Sequence, residues 1–336
     1  METMLKVIDE KHGDNYTAYN ADCVDVASSL PDNSIGFSIY SPPFCSLYVF
    51  SNSDRDMGNT KDNADFIEAY KFLLKELYRI TKPGRLTAVH CMNLPTTKGR
   101  DGFIGMYDFR GDIIRAHQEA GWIYHSEVCI WKDPVLAMQR TKAFGLLHAT
   151  IKKDSSMSRQ GIPDHIVVFR KPGDNAEPIK GEFKYYVGEM DLNEYVSREA
   201  PDSIAGQKFI KFEREDGRDI QQRATGSSID IWQHYASPVW FDIRQTHTLQ
   251  YKNARDSDDE RHISPLQLDT IERCNQLWSL PGDVVFSPFM GIGSEGYVSL
   301  QMGRKFIGAE LKPSYFKVAV DNLEKAVNQP EQEELF

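Results

Sequence analysis

The chain has 336 residues and carries 39 Lys and Arg against 49 Asp and Glu, a formal net charge of −10. That length suits one sizeable α/β domain with an inserted segment, and the acidic balance excludes a protein that coats nucleic acid through charge alone. Five scattered cysteines (Cys23, Cys45, Cys91, Cys129, Cys274), never in Cys-x-x-Cys spacing, exclude a disulfide framework or a structural zinc site. The charged residues 1–13 hold no apolar signal-peptide core, and no apolar run approaches the roughly eighteen residues of a membrane span, so a soluble cytoplasmic protein is expected.

Tyr19-Asn20-Ala21-Asp22-Cys23 leads into a predicted helix over 24–30, with Asp22 placed as an N-cap. Pro31-Asp32-Asn33-Ser34 is a turn by its residue types. Ile35 to Tyr40 then reads as a buried strand that stops abruptly at Ser41-Pro42-Pro43-Phe44. Two consecutive prolines cannot donate to a sheet ladder, and each fixes φ near −65°. The turn therefore offers a Ser41 hydroxyl, a Pro42 carbonyl and the flat face of Phe44 at one point. Two acceptors beside an aromatic plate suit a planar group carrying NH2, such as the amino group of adenine or cytosine. An ordinary Pro-Pro loop has the same local sequence, so the tetrapeptide alone leaves both open.

Residues 45–60 are polar and aperiodic, as expected of a lid or a substrate contact leaving a strand. The spacing of Phe66, Ala69, Tyr70, Leu73, Leu77 and Ile80 predicts an amphipathic helix over 66–80. Lys82-Pro83-Gly84 stops it, and a strand over 85–90 follows. A helix over 110–120, ended by Gly121, and strands over 122–131 and 165–170 continue the alternation of a mostly parallel sheet. His90, His125 and His165 lie on or beside these strands without metal-ligand spacing and read as hydrogen-bonded structural residues. Between them, Arg140, Lys142, Lys152, Lys153, Arg159, Arg170 and Lys171 form a basic stretch against only Asp154 and Asp164. It is either a duplex-facing stripe on an acidic body or a solvated loop.

Residues 172–256 have poor periodicity and are too long for a mere connection. Trp232, His234, Tyr235, Trp240 and Phe241, with Arg223 and Arg244 nearby, could contact bases or phosphates. The tryptophans are expected to be core, since large aromatics bury well. Arg261 to Leu268 leads into a helix ending near Leu277, with Ser264 and Pro265 read as an N-cap and a first-turn proline. Asp283 to Ser287 is then a short strand running into Pro288-Phe289-Met290-Gly291-Ile292-Gly293, a helix over 295–302 and a strand over 305–309 closed by Glu310. Glycines 291 and 293 let backbone approach a ligand, and the helix start offers free N–H groups. An acid closing the next strand is placed to take both hydroxyls of a ribose.

The Ser41 and Phe289–Gly293 stretches resemble motifs IV and I of the S-adenosylmethionine-dependent DNA amino-methyltransferases, which methylate cytosine N4 or adenine N6. Motif IV precedes motif I here, as in the circularly permuted β group, and the resemblance runs from about residue 19 to residue 323. It implies a Rossmann-like α/β fold with a mixed, mostly parallel sheet, divided into a catalytic part (1–171), an inserted target-recognition segment (172–256) and a cofactor-binding part (257–336). It further implies Ser41, Pro42, Pro43 and Phe44 as catalytic residues. Asp22, His262, Pro265, Ser287, Phe289, Gly291, Gly293 and Glu310 would hold S-adenosylmethionine. Arg140, Lys142, Lys152, Lys153, Arg159, Arg223 and Arg244 would meet double-stranded DNA. No metal is required. A cognate restriction endonuclease and a homodimer are compatible with the resemblance, and a membrane partner is not.

Ser41 and Ser287 depart from the commonest pattern. A serine in the first position of motif IV is commoner in cytosine-N4 enzymes, whereas adenine enzymes usually carry Asp there; cytosine is therefore favoured, with adenine the alternative. Ser287 stands where a carboxylate would face the methionine ammonium, which moves that contact to Ser41, Glu295 or a backbone carbonyl. Methylation of an RNA base or a glutamine amide, and a non-catalytic DNA-binding relative, are the rival readings.

Overall fold

The computed structural model describes residues 6–43, 56–141, 144–180, 187–188, 228–250 and 265–328. Its strands in chain order are β1 (Asp9–His12), β2 (Tyr16–Asn20), β3 (Ile35–Tyr40), β4 (Thr81–Cys91), β5 (Leu94–Thr96), β6 (Gly105–Tyr107), β7 (Ile123–Ile130), β8 (Asp164–Arg170), β9 (Val239–Trp240), β10 (Val284–Ser287) and β11 (Lys305–Ala309). The helices are α1 (Cys23–Ser29), α2 (Asn63–Ile80), α3 (Lys98–Asp101), α4 (Phe109–Glu119), α5 (Pro134–Thr141), α6 (His148–Lys153), α7 (Ser228–Tyr235), α8 (Leu268–Trp278), α9 (Ser294–Gln301) and α10 (Pro313–Asn328). None is long and apolar enough to cross a membrane.

Nine strands form one sheet in the order β1-β2-β11-β10-β3-β4-β8-β7-β9, with β5 and β6 paired separately. Strands β2, β11, β10, β3 and β4 are mutually parallel, while β8 runs antiparallel between β4 and β7. The sheet is thus mixed and mostly parallel, and the C-terminal strands β10 and β11 insert between the N-terminal β2 and β3. Every residue of β3 is buried, as a central strand covered on both faces requires.

One face carries α1, α2 and α4, whose Val26, Leu73, Leu77, Phe109 and Ile113 pack with Tyr40, Val89 and Phe169. The other face carries α8, α9 and α10 and gathers Phe37, Ile39, Ala88, Ile166, Ile271 and Phe316. Asp62 starts α2 by accepting the N–H groups of Ala64 and Asp65. Propensity differences amount to about 0.7 kcal/mol per ordinary residue at most, whereas burying a Leu or Phe is worth about 1.5–3 kcal/mol. The buried stripe therefore decides that α2 is a helix, and Leu74 joins the stripe read from the sequence.

At the sheet end where the parallel strands begin, Arg85 is fully buried, donates to the Gly36 carbonyl at 2.9 Å and pairs with Asp283. Asp283 also accepts the Leu280 N–H at 2.7 Å. Lys171 fastens the same end by donating to the Thr81 carbonyl and to Asn33 Oδ1.

Four expectations are corrected. Strand β4 begins at Thr81 and runs through Lys82-Pro83-Gly84, because the Gly84 N–H donates to the Lys171 carbonyl and the Lys171 N–H to the Arg85 carbonyl. The irregularity there is absorbed by a register shift against β3 between Ile35 and Phe37 and by positive φ at Gly84. Arg170 and Lys171 leave the basic stripe, since they lie at the opposite sheet end from the Ser41 turn. Pro265 is not the first residue of a helix: α8 starts at Leu268, with Gln267 in the N-cap position and no side-chain cap bond. Trp240 is core as expected, but Trp232 is exposed.

Candidate active site

Strands β3 and β10 are parallel neighbours, with Val285 opposite Phe37 and Phe286 opposite Ser38. Both chains leave the sheet at the same edge, β3 into Ser41-Pro42-Pro43 and β10 into Pro288 and Phe289. Strands that lie on either side of β3 and β10 connect in opposite directions through the chain, so this is the crevice where open α/β sheets bind ligands. The rings of Tyr40 and Phe289 meet across it, centroids 5.9 Å apart.

Alternation along the strands brings further groups to the Ser41 side. Ser41 follows Phe37 and Ile39 on one face of β3, and His90 follows Leu86 and Ala88 on the same face of β4. Ser41 Oγ lies 2.5 Å from His90 Nδ1. His90 Nε2 lies 3.1 Å from Asp164 Oδ2, and Lys132 Nζ lies 2.6 Å from Asp164 Oδ1. His90 Nε2 and Asp164 Oδ1 make no hydrogen bond among the described residues, so the carboxylate acts on its neighbours chiefly by charge. Burial by itself would raise the Asp164 carboxyl, but His90 and Lys132 outweigh it and hold the group down at about 2. Phe44 lies outside the described residues.

The turn after β10 is shaped by Gly291 and Gly293, with φ of 52° and 87°. A Cβ on Gly291 would meet none of the described residues within 4 Å, so among them this turn borders open space. Gly293 caps α9, and a Cβ there would sit 3.2 Å from Ala319. Glu310 Oε2 accepts the Gly291 N–H at 3.0 Å and Oε1 accepts the Lys312 N–H at 2.8 Å. A carboxylate has about four lone-pair sites, so two remain for a ligand. Burial pushes the Glu310 carboxyl up to about 7, with Asp56 adding to the rise. Glu295, in the first turn of α9, is pushed up to about 8 by burial and by the charge of Glu310. Ser287 Oγ and Ser294 Oγ are buried without a hydrogen-bond partner among the described residues.

Asp22 caps α1, accepting the Val24 and Asp25 N–H groups through Oδ1 alone. It follows β2, whose Asn20 donates to the Glu310 and Leu311 carbonyls, so Asp22 and Glu310 close adjacent strands. Pro265 precedes α8, whose Leu268, Ile271 and Cys274 pack on the face that carries Ser41. His262, Lys142 and Arg223 lie outside the described residues. The chain leaves the sheet at Lys132 and returns at Asp164, and this excursion on the Ser41 edge carries Arg140 on α5, exposed Lys152 and Lys153 on α6, and Arg159. The Arg244 guanidinium pairs with Asp269 of α8 at 2.5 Å.

The matches to known proteins agree with this architecture. The sequence profile of the N6/N4 family described as DNA methylase matches residues 35–321. The chain belongs to that DNA methylase family. The chain is 21% identical to the type II methyltransferase M.BglII of Bacillus subtilis over 304 residues, covering 90% of this chain and 67% of that protein. It is 36% identical to the type II methyltransferase M.Cfr9I of Citrobacter freundii and 40% identical to the DNA adenine methyltransferase YhdJ of Escherichia coli, over 63 and 67 residues. Those two matches span only 21% and 23% of their proteins.

In three dimensions the chain is similar to PvuII DNA methyltransferase, described as cytosine-N4-specific, with a TM-score of 0.57, 15% identity and coverage of 96% and 97% of the two chains. It is equally similar to a Thermus thermophilus protein, a DNA modification methylase by assignment, in complex with S-adenosyl-L-methionine (TM-score 0.57, 18% identity, 91% and 92% coverage). These likenesses establish the Rossmann-like methyltransferase fold of the chain. Reading the sequence missed His90, Asp164 and Lys132, because only the strand order places their strand ends beside Ser41.

Proposed function

We propose that this chain transfers a methyl group from S-adenosylmethionine to the exocyclic amino group of a base flipped out of double-stranded DNA, with cytosine N4 as the favoured target. The observation that carries this reading is the shared exit of β3 and β10, which sets the Ser41-Pro42-Pro43 turn beside the Phe289–Gly293 turn. The second turn suits the cofactor. It has open space over Gly291, two free lone-pair sites on Glu310 for ribose hydroxyls, and buried hydroxyls at Ser287 and Ser294 that no described residue partners. Glu295 supplies a buried carboxyl in the first turn of α9 to take over the contact of the family's aspartate, and Asp22 and Glu310 close adjacent strands, with Asp22 for the adenine edge. S-adenosylmethionine bound there supplies an electrophilic methyl carbon.

An exocyclic amine is a weak nucleophile because its lone pair is delocalised into the ring. Ser41 Oγ and the Pro42 carbonyl accept its two N–H groups and favour a pyramidal nitrogen whose lone pair is free to attack in line. Neither acceptor has to be a strong base, since the methylated nitrogen is acidic and loses its proton readily. The acceleration comes mainly from positioning and preorganised dipoles. The base has to leave the stack to reach this crevice, and Phe44 stacks on its face. Residues 172–256 read the target sequence, and the excursion between Lys132 and Asp164 meets phosphates. A cytoplasmic enzyme acting with a cognate restriction endonuclease, alone or as a homodimer, fits this reading.

Adenine N6 is the second reading, favoured by the similarity to YhdJ of Escherichia coli. Transfer of labelled methyl to duplex DNA by the wild-type chain and by Ser41→Ala, followed by mass analysis of digested nucleosides, tests both. N4-methylcytosine is expected, with a loss of about 100-fold or more in Ser41→Ala. Full transfer by Ser41→Ala overturns the mechanism, and N6-methyladenine establishes the second reading. Transfer only to RNA or to a glutamine amide, or none at all, removes DNA methylation.

A further inference from the structure

We propose that His90, backed by Asp164 and Lys132, is a positioning residue that turns the Ser41 hydroxyl proton away from the substrate and leaves the Ser41 oxygen as an acceptor. This rests on the reading of Ser41 given above and deepens it. Four neighbouring strands, β3, β4, β8 and β7 in sheet order, each end at the Ser41 edge in one polar group. In that order the groups are a hydroxyl, an imidazole, a carboxylate and an ammonium, with successive contacts of 2.5, 3.1 and 2.6 Å.

The direction of the Ser41–His90 hydrogen bond follows from the charges behind it. Lys132 can only donate, and ionised Asp164 can only accept. The carboxylate beside Nε2 therefore favours the tautomer with its proton on Nε2. In the neutral ring that leaves a bare lone pair on Nδ1, and the bond at 2.5 Å is then donated by the Ser41 hydroxyl. With its proton committed to His90, Oγ keeps its lone pairs for the amine N–H. Without this orientation a serine hydroxyl rotates, and in about a third of its staggered positions the proton faces the substrate.

A structural histidine in the same molecule looks different. His117 is fully buried, its Nδ1 lies 2.8 Å from the Ile113 carbonyl one turn earlier in its own helix, and it stacks on Phe169 at 3.7 Å between centroids. No charged group among the described residues pairs with it, and it reaches no strand end. His90 instead bridges a candidate catalytic hydroxyl and a buried ion pair.

The test uses the full chain with His90→Leu, which removes the acceptor, and His90→Asn, which keeps an acceptor near the Nδ1 position. In single-turnover methyl transfer to duplex DNA, His90→Leu is expected to lose about 10- to 100-fold, the worth of one hydrogen bond that matters at the reacting atom. KM for S-adenosylmethionine is expected to stay within about twofold, because the cofactor crevice is untouched. His90→Asn is expected to recover most of the loss. Full transfer by His90→Leu alongside loss in Ser41→Ala overturns the proposal.

A second readout does not depend on activity. In 15N-labelled protein the His90 ring, assigned by its disappearance in His90→Asn, is expected to show a protonated Nε2 and an Nδ1 resonance that moves in Ser41→Ala. A protonated Nδ1, or an Nδ1 resonance indifferent to Ser41→Ala, overturns the proposal even in an active enzyme. A wild-type chain that shows the expected tautomer but methylates no DNA overturns the functional reading and leaves the Ser41–His90 hydrogen bond standing.

Discussion

Tyr40 and Phe289, one before each of the two turns, touch ring to ring with centroids 5.9 Å apart. Tyr40 is also tied to Tyr70 of α2 through their hydroxyls at 2.7 Å, so one side of the contact is rigid. Phe289 is the part free to set the distance between the turns. Phe289→Ala is expected to lower kcat about tenfold or more at saturating cofactor, through misplacement of the reacting groups. Only about 0.5–1.5 kcal/mol of stability beyond the lost area should go with the ring contact. Steady-state kinetics paired with thermal melts checks this. A variant with normal kcat would mean that the contact serves folding alone.

Cofactor binding should tighten with pH. Glu310 sits at about 7 and Glu295 at about 8, both raised chiefly by burial. Donors from a ribose and a cationic ligand favour the charged carboxylates and lower both values, so binding releases protons. The Kd for S-adenosylmethionine is expected to fall as pH rises from about 6 to about 8 and to level off above, by up to about tenfold per unit for each group released. Calorimetry in buffers of different ionisation heat reads the proton count. Glu310→Gln is expected to bind weakly and to lose the dependence on pH near 7.

The same groups act on folding with the opposite trend. Their folded values lie above those of an unfolded Glu, so the folded chain holds more protons between about 4.5 and 8. The stability they contribute is fully present below about 4.5 and is lost as pH rises through about 7 and 8. Glu295→Gln is therefore expected to raise the unfolding free energy of the ligand-free protein at about pH 8 by about 1–3 kcal/mol. At about pH 5 its effect should be far smaller. Denaturant titrations at the two pH values decide it.

Much of the crevice was legible in the sequence because its parts are local. Two prolines after a strand, glycines at 291 and 293, and an acid closing the next strand each act within a few residues. Asp22 likewise caps its helix as its position suggested. His90 was legible only as a strand residue, since its partner Ser41 lies on another strand and the strand order was needed to join them. The start of α8 was misread for a different reason. Pro265 suits a first helical turn, but it lies before Leu268, whose N–H donates to the His247 carbonyl. Trp232 fills an exposed face of α7, while Trp240 donates its indole N–H to the Tyr235 carbonyl at 3.0 Å and is buried. Composition cannot separate two such tryptophans.

Beneath the crevice, Arg85 and Asp283 join β4 to the turn before β10, and both are almost wholly buried. A buried pair gives little net stability against an apolar substitute, but removing one partner strands the other charge. Asp283→Leu is expected to cost about 3–5 kcal/mol. Pairing it with Arg85→Met should recover a large part. Gly36→Ala should also destabilise, because a Cβ there would come within 2.6 Å of Asp283 Oδ1 and 2.9 Å of Arg85 Nη2. Chemical denaturation of the single and double variants gives the coupling.

On the proposed function the acidic chain has to hold a polyanion with a local surface, and the excursion between Lys132 and Asp164 leaves and rejoins the sheet at the Ser41 edge. Lys152 and Lys153 lie exposed in the last turn of α6. Arg244, also expected at DNA, is engaged with Asp269 at 2.5 Å, and Asp269 accepts its backbone N–H as well. The lysines should therefore carry more of the phosphate contact than Arg244. Each phosphate neutralised adds about 0.9 to the slope of log affinity against log salt. Replacing both Lys152 and Lys153 by Ala is expected to reduce that slope by about 1–2, weakening binding alike on specific and unrelated duplexes. Affinity for S-adenosylmethionine should not change. Arg244→Ala should act instead on stability, by freeing Asp269 at the start of α8. Fluorescence anisotropy across a salt series separates the two, and an unchanged slope in the double lysine variant would move the DNA to another face.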